Sequence, residues 1–434
     1  AAAGAPALVG LRLRGVGPRQ PGGSPLALEV HPPLLQRVEG HSRWGAHAYR
    51  PVLFRQGRNT TREHRLVLAL WGRLLAEHQA SELRSGLVLA WAGRGLAQEA
   101  LPLAGGLQRQ LEEALLKLAD DLARPEPPPL VADRKKCVLC GWRSACDQVA
   151  AAEGHLSEVS GIGAKRREML LELGIASLGQ LAAAEPQQLA EALGVHGEQH
   201  AEVADQLITQ ARVQRSGVPL PRQPGPALPE LAAAPGVLIY DIESDPDARD
   251  DFLHGFVLLA RQADGRWPDA AAAAAAPYRP MLALQEHGEA RLWQRLRGLL
   301  AAYPGWPVLH YGETERLALV RLAQRQGARE AEIAELRSRL LDVHQRLRTH
   351  WWLPTNGYGL KPVAGWLGFR WRQQGVDGAR ALLWWRRWRL GVAPTGSDQP
   401  RGSRHNLRWI FRYNHDDSLA TWAVARWLLE APQP

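Results

Sequence analysis

Cysteine is nearly absent from this 434-residue chain, and all three that occur, Cys137, Cys140 and Cys146, fall in one short stretch. So tight a triplet excludes the disulfide framework of a small secreted scaffold. It reads as a ligand cluster in a reducing compartment, and a cytoplasmic location is expected. No uninterrupted apolar run approaches the roughly 18 residues of a membrane span, and residues 1–10 lack the basic start and apolar block of a secretory signal. No membrane partner is expected. The sequence begins at Ala1 rather than Met, from which an earlier natural start is expected. Lysine is scarce too: only Lys117, Lys135, Lys136, Lys165 and Lys361 among 53 basic residues. That arginine bias follows genome composition as readily as phosphate recognition. What the chain carries in excess is positive charge, +9 overall, which favours a polyanionic partner, with nucleic acid the leading candidate.

The chain is too long for one core and implies a multidomain α/β protein. Residues 1–150 mix a strand-like run at 48–54 with helical patterns at 63–78 and 107–123. A helical module comes next, with Met169, Leu170, Leu173, Ile175, Leu178 and Leu181 at helical spacing. Residues 213–235, holding Pro219, Pro221, Pro224, Pro226 and Pro229, read as a linker. The alanine run at 270–276, between Pro268 and Pro277, reads as a variable surface insertion without a function.

Gly236-Val-Leu-Ile-Tyr240 is a buried-strand pattern that runs directly into Asp241-Ile-Glu243. Side chains alternate along a strand, so the two acids are expected on one face. Adjacent carboxylates repel unless a cation lies between them, and hard divalent ions take oxygen ligands. A strand ending in solvent beside casual acids would carry the same pair. Near the C-terminus, Tyr413-Asn-His-Asp-Asp417 leads into a helical pattern at 418–429 and sets Tyr413 and Asp417 four apart on one helical face. Two further acids lie between: Glu315, after a short apolar strand, and Asp342, in Leu340-Leu-Asp-Val-His344. Either could complete a four-carboxylate cage.

Asp-x-Glu on a first strand, an acid after a later strand and Tyr-x-x-x-Asp on the last helix resemble the DEDD exonuclease superfamily in its tyrosine variant. More closely, Tyr240-Asp-Ile-Glu-Ser244, His310-Tyr-Gly-x-x-Glu315, Gly359-Leu-Lys-Pro-Val-Ala-Gly-Trp-Leu-Gly-Phe369 and Tyr413-Asn-x-Asp-Asp417 resemble the YprB-like RNase H-like domain. The similarity runs over almost all of residues 236–434. It implies a mixed sheet flanked by helices and a metal-dependent nuclease of 3′-end polarity. Asp241, Glu243, Glu315 and Asp417 would be ligands of two Mg²⁺ or Mn²⁺ ions, and Tyr413 would orient or deprotonate the attacking water. Glu315 stands where the wider superfamily has Asp, with Asp342 as a nearby or outer carboxylate. His310 and Tyr311 read as a hydrogen-bonded, half-buried pair, and Lys361 as a surface residue within reach of a phosphate. Trp351, Trp352, Trp366, Trp371, Trp384, Trp385 and Trp388 read as core, with base stacking beside Arg386, Arg387 and Arg389 as the alternative.

Val159-Ser-Gly-Ile-Gly163-Ala-Lys-Arg-Arg167 joins a glycine hairpin to a basic helix start. It resembles a helix-hairpin-helix motif, which implies contact of Gly161, Gly163, Lys165, Arg166 and Arg167 with a nucleic-acid backbone without base reading. A glycine-capped hairpin with no ligand has the same pattern. Gly194-Val-His-Gly197, followed by acids, reads as its structural partner. The cysteine triplet resembles the one closing RecB-like nucleases, a family in which the YprB-like domain is fused behind the nuclease. The implied 4Fe–4S cluster needs a fourth cysteine that the sequence lacks, and the rival is zinc with His155 as the fourth ligand. Residues 1–150 would then be a remnant of a RecB-like, restriction-endonuclease-type α/β fold. Its expected catalytic strand, 49–54, holds neither the acid nor the lysine of that fold, and Glu29 and Glu39 are isolated, so the domain is read as degenerate but still able to grip DNA.

The expected order is therefore a RecB-like domain with the cysteines at its end (1–150), a helix-hairpin-helix module (151–212), a linker (213–235) and an RNase H-like DEDD exonuclease domain (236–434). The function expected is that of a nuclease in repair or processing, on DNA rather than RNA because of the hairpin module. A non-catalytic nucleic-acid-binding scaffold with a vestigial cage is one alternative. An RNA-trimming exoribonuclease is the other, since carboxylates do not sense a 2′-OH.

Overall fold

The computed structural model describes residues 1–19, 22–55, 59–92, 95–126, 129–131, 134, 137, 140–246, 248, 250–391 and 405–431. It forms two compact units, Ala1–Pro129 and Leu130–Pro434. No helix among the described residues is long and apolar enough to cross a membrane.

The first unit comprises β1 (Ala7–Val9), β2 (Leu13–Arg19), β3 (Pro25–Val30), β4 (Leu34–Val38), β5 (Ala48–Arg55), α1 (Arg62–Gln79), β6 (Ser85–Ala92), β7 (Gly95–Pro102) and α2 (Gly106–Ala123). The strand and both helices expected here form within a residue or two of their expected ends. Its sheet runs β1-β4-β5-β6-β7, parallel only between β5 and β6, with β2 and β3 as a separate hairpin. Helix α1 starts at a reciprocal Thr61–His64 cap and buries Leu68, Ala69, Leu74 and Leu75, whose spacing makes one apolar face. Glu29 lies on the surface with Arg14 and His31, and the Arg14 guanidinium holds its carboxyl below the usual range. Glu39 is also exposed. Among the described residues of this unit no three potential ligands gather to metal spacing.

The second unit opens with helices α3 (Arg143–Glu153), α4 (Ala164–Glu172), α5 (Leu178–Ala183), α6 (Pro186–Gly194), α7 (Glu198–Ala201) and α8 (Ala204–Ser216). Leu156, Val159, Leu170, Leu181, Leu193, Leu207 and Ile208 form their common core. Residues 213–235 are exposed over most of 215–226 and anchored at two places. Strand β8 (Leu220–Pro221) pairs with a distant strand at Trp351–Trp352, and Ala227, Leu228 and Leu231 are buried in the core of the C-terminal domain.

The remaining elements are β9 (Gly236–Asp245), β10 (Asp250–Ala260), α9 (Ala270–Ala274), β11 (Tyr278–Leu282), α10 (Gly288–Ala302), β12 (Val308–His310), α11 (Glu313–Arg325), α12 (Glu330–Arg339), β13 (Leu340–Asp342), α13 (Val343–His350), β14 (Trp351–Trp352), α14 (Leu360–Trp366), α15 (Gly378–Arg389) and α16 (His405–Glu430). The alanine run is anchored: Asp269 caps α9, Ala273 is buried, and Trp422 Nε1 donates to the Pro268 carbonyl at 3.1 Å.

The sheet order is β11-β10-β9-β12-β13, antiparallel on the β10 side of β9 and parallel on the other. Alternation along β9 explains the layering. Val237 and Ile239 join one core with Leu419, Trp422 and Val424 of α16. Leu238, Tyr240 and Ile242 join the opposite core with residues of α10, α11 and α12. The odd face of β9 therefore meets α16, and Asp241 and Glu243 continue that face.

One buried polar pair crosses β9 and β10. His254 Nδ1 lies 2.8 Å from the Tyr240 hydroxyl, and burial pushes the imidazole down to about 4. A histidine held neutral makes the folded state bind fewer protons than the unfolded chain, so its contribution is full above about pH 6.5 and lost as pH falls towards 4. Relative to His254→Phe, the wild type should lose about 3 kcal/mol of stability between pH 7 and 4, as read from denaturant midpoints. A parallel response of the two proteins would contradict a neutral buried imidazole.

Candidate active site

Strands β9, β12 and β13 are parallel, so their carboxyl ends meet at one edge of the sheet, the usual place for a site in an α/β layer. Asp241 and Glu243 stand at the end of β9. Asp417 reaches them from α16, which packs across the same face. One carboxylate oxygen from each of Asp241, Glu243 and Asp417 lies within 4.8 Å of the other two, a group that could hold a metal ion.

These carboxylates are mutually unfavourable as placed. Burial and the negative charge of Asp417 push Asp241 and Glu243 well above the carboxylate range. Burial raises Asp417 itself to about 6, although the Trp371 hydrogen bond, the Lys361 charge and the Tyr413 hydroxyl all act to lower it. Three carboxylates, Glu243 buried and Asp241 partly so, with Lys361 the cation that acts on Glu243 and Asp417, fit a divalent ion, whose charge would offset both the repulsion and the desolvation.

Glu315 comes from the N-terminus of α11, the helix layer behind the other face of the sheet. It lies outside the group of three yet adds to the negative field on Asp241. It is buried, Oε2 has no partner among the described residues, and burial raises it to about 7. Asp342 has a different task. Its Oδ1 accepts from the amides of Gln345 and Gly312, both at 3.1 Å, capping α13 and fixing the loop before α11. It lies outside the group of three carboxylates.

Tyr413 donates its hydroxyl to Asp417 one helical turn away, and burial among acids raises its phenol far above the ordinary tyrosine range. The phenol is therefore held protonated and acts as a hydrogen-bond donor to Asp417. Lys361 donates to the Val376 carbonyl at 2.6 Å and stands 5.4 Å from the centroid of the Tyr413 ring, where its charge also favours ionised Glu243. Although exposed, it is part of the site's electrostatics. His310 is fully buried, with Nδ1 2.6 Å from the Gly312 carbonyl, and Tyr311 donates to the Tyr358 carbonyl at 2.6 Å.

Several supports were not recognised in the sequence. Asn414 donates Nδ2 to Asp241 Oδ2 at 2.7 Å and accepts from the Tyr278 hydroxyl at 2.7 Å. Trp371 Nε1 donates to Asp417 Oδ1 at 2.6 Å. Arg372 binds Asp416 through its backbone amide at 2.9 Å and through Nε at 2.6 Å, which fixes the loop carrying Trp371. The neighbouring acids 416 and 417 therefore divide the work: one anchors the loop and the other faces the cage. Asp245, one strand turn beyond Glu243, forms a two-pronged pair with Arg386 at 2.6 and 2.9 Å. The tryptophans divide as well. Trp351, Trp384 and Trp385 are core, whereas Trp352, Trp366, Trp371 and Trp388 are half-buried.

Gly255 explains how Asn414 fits. It pairs across the ladder with Asp241, and a Cβ placed on it would stand 1.7 Å from Asn414 Oδ1. Gly255→Ala should therefore expel the amide from between Tyr278 and Asp241. The expected cost is about 1–3 kcal/mol of stability in denaturant titrations. Adding Asn414→Ala should recover part of that loss, and strict additivity of the two changes would rule out the clash.

In the helical module Gly161 takes φ +94°, and α4 begins after Gly163. Lys165 is exposed, while Arg166 and Arg167 are half-buried and Arg166 donates to the Gly161 carbonyl. The second hairpin, at 194–197, closes onto α7 through Gly197 at φ +131°. Cys137 and Cys140 lie in a turn before α3, which contains Cys146. As placed, the three thiols are not gathered to ligand spacing. His155 has Nδ1 2.7 Å from Ser157 Oγ, while Nε2 is buried without a partner among the described residues.

Residues 238–429 match the sequence profile of the RNase_H superfamily. The C-terminal domain is RNase H-like. No curated protein matches the chain. Within this RNase H-like domain, Asp241 stands close to the start of the matched span and Asp417 close to its end, so the fold closes the carboxylate group from opposite ends of its sequence.

Proposed function

We propose that the RNase H-like domain is a metal-dependent nuclease that removes nucleotides from the 3′ end of DNA by phosphodiester hydrolysis. The observation that carries this reading is the buried meeting of Asp241, Glu243 and Asp417 within 4.8 Å, with a protonated Tyr413 beside them. Magnesium or manganese held by those oxygens, in the expected pair with Glu315 at its margin, would activate water and neutralise charge on the phosphate.

The protein's own groups have separable tasks in this reading. Asn414 and Trp371 orient the carboxylates from outside, as supports of ligand residues do. Tyr413 holds Asp417 and offers the hydroxyl that positions the attacking water, which favours orientation over deprotonation. Lys361 places a positive charge where a scissile phosphate would approach. Polarity and the preference for DNA rest on the resemblance to tyrosine-type DEDD exonucleases and on the hairpin module. The cysteine turn is proposed as a separate structural staple, holding zinc or an iron–sulfur cluster, with metal analysis of the purified protein as its test.

The functional test is degradation of end-labelled single- and double-stranded DNA and RNA with Mg²⁺ or Mn²⁺, set beside the Asp241→Ala/Asp417→Ala double variant. Laddering from the 3′ end of DNA that disappears in the variant is expected. Intact substrate with retained binding would move the protein to a scaffold role, and selective loss of RNA would make it an exoribonuclease.

A further inference from the structure

The hairpin module is docked on the RNase H-like domain rather than tethered to it. Gln210 of α8 donates to the Leu353 carbonyl at 2.8 Å and accepts from the Tyr358 hydroxyl at 3.1 Å, while Asn356 reaches Glu158 at 3.0 Å. Along this junction run two adjoining cavities. One, of about 360 Å³, is lined by Gly161 and Arg166 of the hairpin and by Trp352 and Tyr358. The other, of about 1000 Å³, extends past Arg316 and Arg346 to Gly312. Arg222, His344 and Arg348 line both, so the two adjoin at these side chains and are read together as one groove.

The ends of the groove are chemically distinct. At one end is the glycine hairpin. At the other, a Cβ on Gly312 would stand 3.7 Å from the Glu315 carboxylate, which flanks the cage. Between them four arginines, Arg222, Arg316, Arg346 and Arg348, outnumber the two acids of the lining, Glu313 and Asp342. Arg346 and Arg316 are paired with Glu230 and Glu313. Arg222 and Arg348 are exposed and have no carboxylate partner among the described residues. The Arg222 guanidinium lies 3.8 Å over the Trp352 ring, and its Nη1 donates to the Arg348 carbonyl at 3.0 Å. A guanidinium fixed on an indole presents both a charge for a phosphate and a plane on which a base can stack.

We infer that this groove is the track of a single nucleic-acid strand, carrying its phosphates on Arg222 and Arg348 from the hairpin to the carboxylate cage. Arginines with stackable planes follow a backbone without reading base edges, the pattern of sequence-tolerant single-strand binding. The docked module then acts as a guide wall at a fixed distance from the cage. Only the direction of travel, toward the cage, rests on the nuclease reading; the binding does not.

The test is anisotropy of a labelled single-stranded oligodeoxynucleotide in EDTA across a salt series, with the wild type and an Arg222→Ala/Arg348→Ala variant. Loss of two phosphate contacts should lower the log–log salt slope by about 1.4. Affinity near physiological salt should fall about tenfold or more. Photo-crosslinking of 4-thiothymidine strands to the unaltered protein should label peptides holding Arg222 and residues 344–352, independently of any effect of substitution on folding. An unchanged slope, or crosslinks confined to other surfaces, would overturn the inference. Equal competition by a blunt duplex would overturn its single-strand form. With Mn²⁺ present, hydrolysis of the p-nitrophenyl ester of thymidine 5′-phosphate reports the cage separately from the groove, and degradation of long strands should fall further in the variant than hydrolysis of this ester. Absence of hydrolysis by either protein would sink the nuclease reading and leave the groove standing on the binding data.

Discussion

Replacing Asp417 with Asn should lower phosphodiester cleavage by about a thousandfold or more while leaving binding of a single strand in EDTA unchanged. The side chain keeps its shape and can keep its contact with Trp371, so the change removes one negative oxygen from the group rather than the architecture around it. Several kcal/mol of charge stabilisation reside in such a site, and each 1.36 kcal/mol corresponds to about tenfold in rate. The supports should grade below it. Asn414→Ala frees Asp241 on one side and should cost about 10–100-fold, the usual scale for a residue that orients a ligand. Tyr413→Phe should lower kcat by about 10²-fold without moving the alkaline limb of the pH–rate profile, because the phenol donates and does not titrate in that range. A Tyr413→Phe enzyme whose alkaline limb shifted would assign the proton-removing role to the phenol after all. Equal losses for Asn414→Ala and Asp417→Asn would remove the distinction between ligand and support.

The parts of this site that were legible in the sequence are those set by local periodicity. Two-residue alternation placed Asp241 and Glu243 on one face of β9, and four-residue spacing placed Tyr413 beside Asp417. What remained hidden depends on register between distant strands and on packing between layers. Nothing local marks Gly255 as the residue opposite Asp241, yet that register decides whether Asn414 fits. Nothing distinguishes Trp371 from the core tryptophans around it until α16 brings Asp417 within 2.6 Å of its indole nitrogen. Asp342 was chemically suitable as a ligand, but its position at the start of α13 commits one oxygen to backbone amides. The anchoring of the proline-rich stretch was hidden for a related reason. Proline limits backbone donors but not burial, and this segment buries Leu228 and Leu231 while delivering Arg222 to the groove. The helical module and the strand and helices of the first unit were legible because each carries its own apolar period.

Divalent cation should stabilise the second unit against denaturant by about 2.7 kcal/mol at a concentration one hundred times its dissociation constant, and Asp241→Asn or Asp417→Asn should abolish most of that response. The sign is set by the acids themselves. Asp241, Glu243 and Asp417 all titrate higher in the folded protein than in an unfolded chain, so the metal-free fold binds more protons between about pH 4 and the raised values. Their contribution to the stability of the metal-free protein then falls as pH rises through that window, the reverse of the usual behaviour of a salt-bridged carboxylate. Asp417→Asn should accordingly raise metal-free stability at pH 8 relative to pH 4, even as it lowers activity. Taking the difference between variant and wild type cancels the opposite-signed titration of His254, which both proteins share. Tryptophan fluorescence suits the measurement, because only Trp44, Trp71 and Trp91 lie outside the second unit. A metal-free protein that grew more stable with rising pH relative to Asp417→Asn would mean that the three carboxylates already have a compensating charge. The argument that they await a cation would then lose its electrostatic basis, whatever the activity of the variants.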